Sequence, residues 1–315
     1  LSRRQRQMCI RDRLYMFNNE GLFLRKIGNK GGGLGEYTDI SDFTIDYDRG
    51  YIYALEFRAQ AIYTYNLLTG NFIGSTRLNN ENYISRHLQY NSQCLFTDLY
   101  AKKQGGKKYL LRKIDLSEQY REDFFLDSEK WNLGWNQFSG TSPFYPADHN
   151  GFYFIPLFSN VIFEVKKDQI SPVFSIKSKN LINRQTIQQI EKAGFQELIA
   201  ADKIYNMNCC IIRSNLFHIR YMQGNVMYTL LANHNQTNIR KINLLLNDLL
   251  FNKENNILLQ QRWGSSDFKG DYYFLNSYEM PILKEYFEEG YLSPSSKVQL
   301  NFSEDMNPIL LYYSY

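Results

Sequence analysis

The sequence predicts an all-β chain: a six-bladed β-propeller with an incomplete first blade and short helical insertions. Three observations predict it. The 315 residues include 25 Tyr and 22 Phe, and aromatic side chains suit a pleated, half-buried surface. One hairpin pattern recurs along the first half of the chain at a nearly constant spacing. Four short strands fit into one period of that repeat, which is the content of one propeller blade.

The hairpin is first seen in Leu14-Tyr-Met-Phe-Asn-Asn-Glu-Gly21-Leu-Phe-Leu-Arg, a strand, a polar turn with Gly, and a strand. Ile62-Tyr-Thr-Tyr-Asn-Leu-Leu-Thr-Gly70-Asn-Phe-Ile-Gly repeats it. Leu110-Leu-Arg-Lys-Ile-Asp115 and Val161-Ile-Phe-Glu-Val-Lys166 repeat its first half. The residues that open the turn are Asn18, Asn66, Asp115 and Lys166, at spacings of 48, 49 and 51. Propeller blades recur at roughly 40–50 residues. Within the best-defined period, strands are expected at residues 42–47, 51–55, 61–65 and 71–76, with Gly or Asn at the tight turns as hairpins require. The first of these would be an innermost strand and the last an outer edge. The rhythm breaks at residues 180–201, where Ile182, Ile187, Ile190, Leu198 and Ile199 are spaced among Gln, Glu and Lys as in a helix. It resumes in residues 216–222 and 225–230. A second short helix is expected at residues 280–289, with Pro281 in its first turn, and a last strand at residues 308–315.

Residues 1–13 stand apart. They carry five Arg and one Asp and show neither strand alternation nor a helical stripe. They resemble translated sequencing-adaptor sequence fused to gene fragments assembled from metagenomic reads, and are set aside as a non-native or disordered segment. Residues 14–315 are read as a single propeller domain. Without the segment the chain holds 31 basic and 31 acidic residues, so the net charge of +4 vanishes. A nucleic-acid partner is therefore not expected, since such proteins carry a clustered basic patch. No apolar run approaches the ~18 residues of a membrane helix. Cys9, Cys94, Cys209 and Cys210 form no C-x-x-C pair, so no zinc or redox motif is present.

Three stretches resemble the six-bladed β-propeller proteins of Bacteroidetes, relatives of the NHL-repeat propellers. They are Phe23-Leu-Arg-Lys-Ile-Gly-Asn-Lys-Gly-Gly-Gly-Leu-Gly-Glu-Tyr37 with Ile40-Ser-Asp-Phe-Thr-Ile-Asp46, then Ser159-Asn-Val-Ile-Phe-Glu-Val165, then Glu304-Asp-Met-Asn-Pro-Ile-Leu310. Leu34 departs from the Pro of the family pattern. The resemblance implies an exported lipoprotein, periplasmic or anchored at the outer membrane. Its signal peptide and the strands that precede the Leu14 hairpin are absent from this sequence. The membrane would then be met only through a lipid anchor.

The candidate site residues are few. Residues 28–35 are glycine-rich, but no helix is expected to follow, so a crossing loop with positive φ is read here rather than a phosphate cradle. Glu36, Asp39 and Asp42 precede the predicted innermost strand and would stand at a channel rim, and Tyr37 beside them is retained as a ligand-binding candidate. General acid–base work needs two such groups at a defined separation; turn-forming Asp in a solvated loop is the plainer reading. His149 lies in the polar loop Ala147-Asp-His-Asn-Gly151, whereas His218 sits in an apolar strand and is read as core. Arg86, Arg213 and Arg240 supply positive charge; among these Arg213 is retained as a ligand-binding candidate. No catalytic or metal-ligating set can be assembled from sequence. A divalent cation in the channel is the one cofactor the fold would admit. The leading expectation is a non-catalytic binding or scaffold propeller of the cell envelope, its partner a small molecule, glycan, peptide or envelope protein. The alternative is a metal-dependent hydrolase or lyase acting at the central channel.

Overall fold

The structure is a computed structural model that describes residues 13–18, 22–78, 83–101, 109–117, 120–126, 142–147, 150–183, 185–186, 189, 194, 196–213, 216–233, 239–242, 262–264, 270–275, 281, 284–285, 288–290 and 309–314. Side chains of residues 101, 120, 125–126, 208–213, 216, 262–264, 270–275 and 309–314 are not described. The chain divides into two compact units, residues 1–144 with 150–175, and residues 145–149 with 176–315.

The first unit opens with β1 (Leu14–Phe17) and β2 (Phe23–Ile27), an antiparallel pair. The short parallel pair β3 (Asn29–Lys30) and β4 (Glu36–Tyr37) follows. β5 (Ile40–Asp46), β6 (Tyr51–Glu56), β7 (Ala61–Asn66) and β8 (Phe72–Arg77) form a four-stranded antiparallel sheet in chain order. Next come β9 (Tyr83–Ile84), β10 (Leu88–Asn91), β11 (Cys94–Asp98), β12 (Tyr100–Ala101), β13 (Tyr109–Asp115) and β14 (Tyr120–Leu126). Here β10-β11-β13-β14 make the next four-stranded sheet, and β9 pairs with β12. β15 (Phe144–Pro146), β16 (Phe152–Phe154), β17 (Val161–Lys166) and β18 (Gln169–Ser175) complete a third sheet of four.

The second unit contains a helical turn, α1 (Gln196–Ala200), and the sheet β19 (Ile204–Arg213), β20 (Leu216–Gln223), β21 (Val226–Ala232) and β22 (Arg240–Ile242). It also holds the three-stranded sheet β23 (Arg262–Gly264), β24 (Gly270–Leu275) and β25 (Ile309–Ser314). Of the predicted helical insertion at residues 180–201, the described residues 185–186, 189 and 196–200 are helical, and Leu181 ahead of them forms a bridge to Ile204. At 280–289, the described residues 281, 284–285 and 288 are helical.

The repeat read from the sequence has a physical cause. β7, β13 and β17, which carried it, are each the third strand of a four-stranded sheet. Three of the four turn-opening residues do the same work. Asn18 accepts the Leu22 amide at 2.8 Å, Asn66 accepts those of Leu68 and Thr69 at 3.0 and 2.9 Å, and Asp115 accepts that of Ser117 at 2.9 Å. Each short polar side chain stands in for a backbone carbonyl and closes the turn. Lys166 opens a tighter turn, Lys166 pairing with Gln169.

Consecutive sheets pack face to face, so their middle strands are buried on both sides. Along β6, Ile52 and Ala54 join a core with Ile27, Tyr37 and Tyr65, while Tyr53 and Leu55 join another with Ile62, Leu78, Leu88, Leu95 and Ile114. Along β11, Leu95 joins that second core, and Cys94 and Phe96 join a third with Leu111, Phe152 and Val165. The period of two along a strand sends alternate side chains to opposite neighbours, which explains unbroken apolar runs where a one-sided sheet would alternate.

The glycine-rich segment crosses from β2 to β5, and β5 rather than a helix follows it. Gly28 and Gly35 have φ of +63° and +75°. A Cβ on Gly28 would stand 2.7 Å from the Tyr65 ring, and one on Gly35 2.4 Å from the Phe72 ring.

Candidate functional site

The site lies where β5 and β10, the first strands of two consecutive sheets, run side by side. Leu88 of β10 donates its amide to Asp42 Oδ2 at 2.9 Å, and Tyr90 donates to Thr44 Oγ1 at 3.1 Å. Side chains of one sheet thus satisfy edge amides of the next, which would otherwise recruit a foreign strand. The register of β5 on β6 shifts between Ile40 and Asp42, the kind of irregularity that re-aims a side chain. Asp42 Oδ1 also accepts the Phe43 amide at 2.9 Å.

Beside Asp42 stands His87, buried, with Nδ1 2.5 Å from Asp98 Oδ2. Asp98 ends β11, and its Oδ1 accepts the amides of Arg86 and His87 at 2.8 and 2.9 Å. Burial pushes the Asp42 carboxyl up to about 6, against the opposing pull of His87 and of the Leu88 and Phe43 amides. Burial disfavours the His87 cation, but Asp98, by charge and by hydrogen bond, outweighs it with help from Asp42, and the imidazole is raised above its ordinary value. The Arg86 guanidinium lies over the Phe57 ring, 5.2 Å from its centre. Its Nε is buried without a hydrogen-bond partner, and among the described residues no carboxylate pairs with it.

The same architecture recurs one sheet earlier. Glu56 ends β6 and accepts the amides of Thr38 at 3.2 Å, Asp39 at 3.0 Å and Ala59 at 2.5 Å, together with the Thr38 hydroxyl. Glu56 and Asp98 are therefore equivalent, each an acid closing the second strand of a sheet onto the chain entering the first. Burial opposes ionisation of Glu56, yet these hydrogen bonds prevail and lower its pKa.

Of the residues singled out from the sequence, Asp42 alone enters this cluster. Glu36 turns back onto the glycine loop, accepting the Gly33 amide at 2.9 Å. Asp39 is 3.6 Å from the largely exposed Arg58. Tyr37, a ligand-binding candidate, is placed away from solvent. It is fully buried, its hydroxyl donates to the Ile27 carbonyl at 3.2 Å, and its ring meets Tyr65 edge to face. It packs there because the glycine loop must close over a core. His149 lies outside the described residues, and Arg213 ends β19 with its side chain undescribed. His218 is buried in β20, as read from its apolar strand. Sequence reasoning passed over the His87–Asp98 pair. The available signal was the repeat itself, which puts Glu56 and Asp98 at matching strand ends.

Among the described residues, no three His, Cys, Asp or Glu side chains are placed to hold a metal ion, and no helix is long and apolar enough to cross a membrane. What the cluster offers is an imidazole oriented between two carboxylates, next to an arginine stacked on an aromatic ring. Fold and site together define an all-β protein of propeller-like sheets with a polar seam between neighbouring sheets. The family described as a domain of unknown function, DUF4934, matches residues 6–314, and the chain belongs to it. No curated protein matches the chain. A solved structure from Bacteroides fragilis, of a protein described as exported, has a TM-score of 0.75 at 20% identity, covering 95% of this chain and 84% of that one. A DUF4221 member from Bacteroides vulgatus has a TM-score of 0.54 at 11% identity, covering 85% and 81%. Both are likenesses of fold.

Proposed function

We propose that this protein is a non-catalytic binding module of the bacterial cell envelope, a single six-bladed propeller related to the NHL-repeat proteins. In this reading it is exported and lipid-anchored. The ligand or partner presents an anionic group, such as an acidic glycan or a peptide carboxylate, to the loops that carry Arg86 and Arg58. One observation supports this over acid–base chemistry. Asp42 and Glu56 have both oxygens engaged by backbone amides and Asp98 divides its own between the Arg86 and His87 amides and the His87 ring, while the Arg86 guanidinium has no carboxylate partner among the described residues. A buried donor without a partner costs about 1–3 kcal/mol, which an arriving oxyanion would relieve with a charge-assisted hydrogen bond. The B. fragilis protein of similar fold is described as exported, which supports the same address.

The test is calorimetric titration with uronic-acid oligosaccharides and acidic peptides, using the protein and its Arg86→Met variant. Binding that weakens at least tenfold in the variant, with the ligand recovered chemically unchanged, is the expected result. Turnover of the ligand, or equal affinity of the variant, would overturn the proposal.

A further inference from the structure

Asp42, His87 and Asp98 gather at one seam, on three elements of two sheets. Asp42 is on β5, Asp98 ends β11, and His87 precedes β10. The charged groups that bear on His87 are Asp98, Asp42 and Arg86; on Asp42 they are His87 and Asp98. Two backbone contacts join the sheets here, Leu88 to Asp42 and Tyr90 to Thr44, and the first runs through the cluster, whose Asp98 in turn holds the Arg86 and His87 amides of the chain entering β10. Protonation of the cluster is therefore linked to whether the seam is closed.

We propose that the β5–β10 seam is a pH-responsive latch, closed in mild acid and loosened in mild base. In acid the cluster holds an imidazolium, the Asp98 carboxylate and a neutral Asp42, with Arg86 beside His87. In base it holds the half-buried Asp42 and the buried Asp98 carboxylates around a neutral ring. Like charges in a confined place repel, and the relief is for the segment that carries Arg86 and His87 to swing away from β5. The signs of both shifts agree. A raised His87 favours the closed form until pH rises through its folded value, and a raised Asp42 penalises the closed form increasingly from its ordinary 3.8 up to about 6 and in full above that.

The experiment is amide hydrogen exchange of the full chain between pH 5.5 and 8.5, corrected for intrinsic rates. Leu88 and Tyr90 report the seam, and Leu55 and Leu111, inside the sheets, serve as references. Protection at Leu88 and Tyr90 should fall at least tenfold across this range while the references hold. In Asp42→Asn, which keeps one acceptor for the Leu88 amide, gives up the one for Phe43 and removes the charge, the fall should shrink below threefold. A flat profile at the seam, an equal fall at the references, or an unchanged fall in Asp42→Asn would each overturn the latch. The wild-type profile decides the matter even if a variant does not fold.

Discussion

Glu56→Gln separates an architectural acid from a chemical one. Oε1 of Glu56 receives the Thr38 and Asp39 amides and the Thr38 hydroxyl, and Oε2 receives the Ala59 amide. Glutamine keeps one acceptor and turns the other oxygen into an NH2 group, which then faces the Ala59 N–H, donor against donor. One charge-assisted hydrogen bond is lost and three are weakened. Hydrogen bonds to a charged group contribute about 1.5–3 kcal/mol each and an orphaned buried donor costs about 1–3, so a loss of about 2–4 kcal/mol is expected. For a cooperative unit of this size that is about 5–12 °C in melting temperature. The sign with pH follows from the lowered pKa. A carboxyl depressed below its ordinary 4.5 stabilises the fold above that value and loses the contribution as pH falls through the folded value. Urea denaturation of both proteins at pH 7 and pH 3.5 measures it. The difference should be full at pH 7 and much reduced at pH 3.5. A difference under 0.5 kcal/mol at pH 7, or one independent of pH, would refute the account of Glu56 as the closure between β6 and the chain entering β5.

Three further outcomes follow from the same geometry. Asp42→Asn removes a charge that burial disfavours but sets its NH2 group against one of the Leu88 and Phe43 amides, so relative to the wild type it should be more stable at pH 8 than at pH 4 by up to about 3 kcal/mol, the equivalent of a rise from 3.8 to about 6, read from denaturation curves at both pH values. Gly28→Ala forces a side chain into a left-handed φ and against the Tyr65 ring, and should cost about 2–3 kcal/mol, measured as a shift of the urea midpoint at constant slope. Leu111→Ala empties a fully buried position in the core that also holds Phe96 and Phe152; a loss of about 3–4 kcal/mol is expected, and a loss below 1 kcal/mol would mean that the two sheets do not pack there as described.

The two units differ in how their local chemistry holds them. In the first, ion pairs cross between consecutive sheets: Lys113 to Asp168 at 2.5 Å and Lys167 to Asp115 at 3.3 Å, two acids and two bases in reciprocal arrangement. Asp168 and Lys167 are largely exposed, so these pairs align the turns more than they stabilise them. In the second, Lys241 of β22 lies 3.7 Å over the Tyr228 ring, which stacks on Tyr221. A cation over an aromatic face ties β22 to β21 with little charge pairing.

Strands, turns and their period were legible because they are local. Asn18, Asn66 and Asp115 close turns with their own neighbours, and Tyr51–Glu56 reads as a strand buried on both faces whatever it packs against. The crossing role of the glycine segment was legible too, since positive φ is a property of single residues. The helical stretch at 180–201 was legible too, its described residues 185–186, 189 and 196–200 being helical, whereas the pairing of Leu181 with Ile204 at its start is a long-range contact that helical spacing does not reveal. The site was not legible. Asp42, His87 and Asp98 lie 45 and 11 residues apart in the chain and meet only because two sheets stack with their first strands in register. Tyr37 and Asp42, five residues apart, look alike as polar groups at a strand start. One is sealed into the core and the other turned to a neighbouring strand's amide. That choice is made by packing: a bulge of one residue in β5, and a second sheet whose edge needs an acceptor, decide which side chain faces the seam.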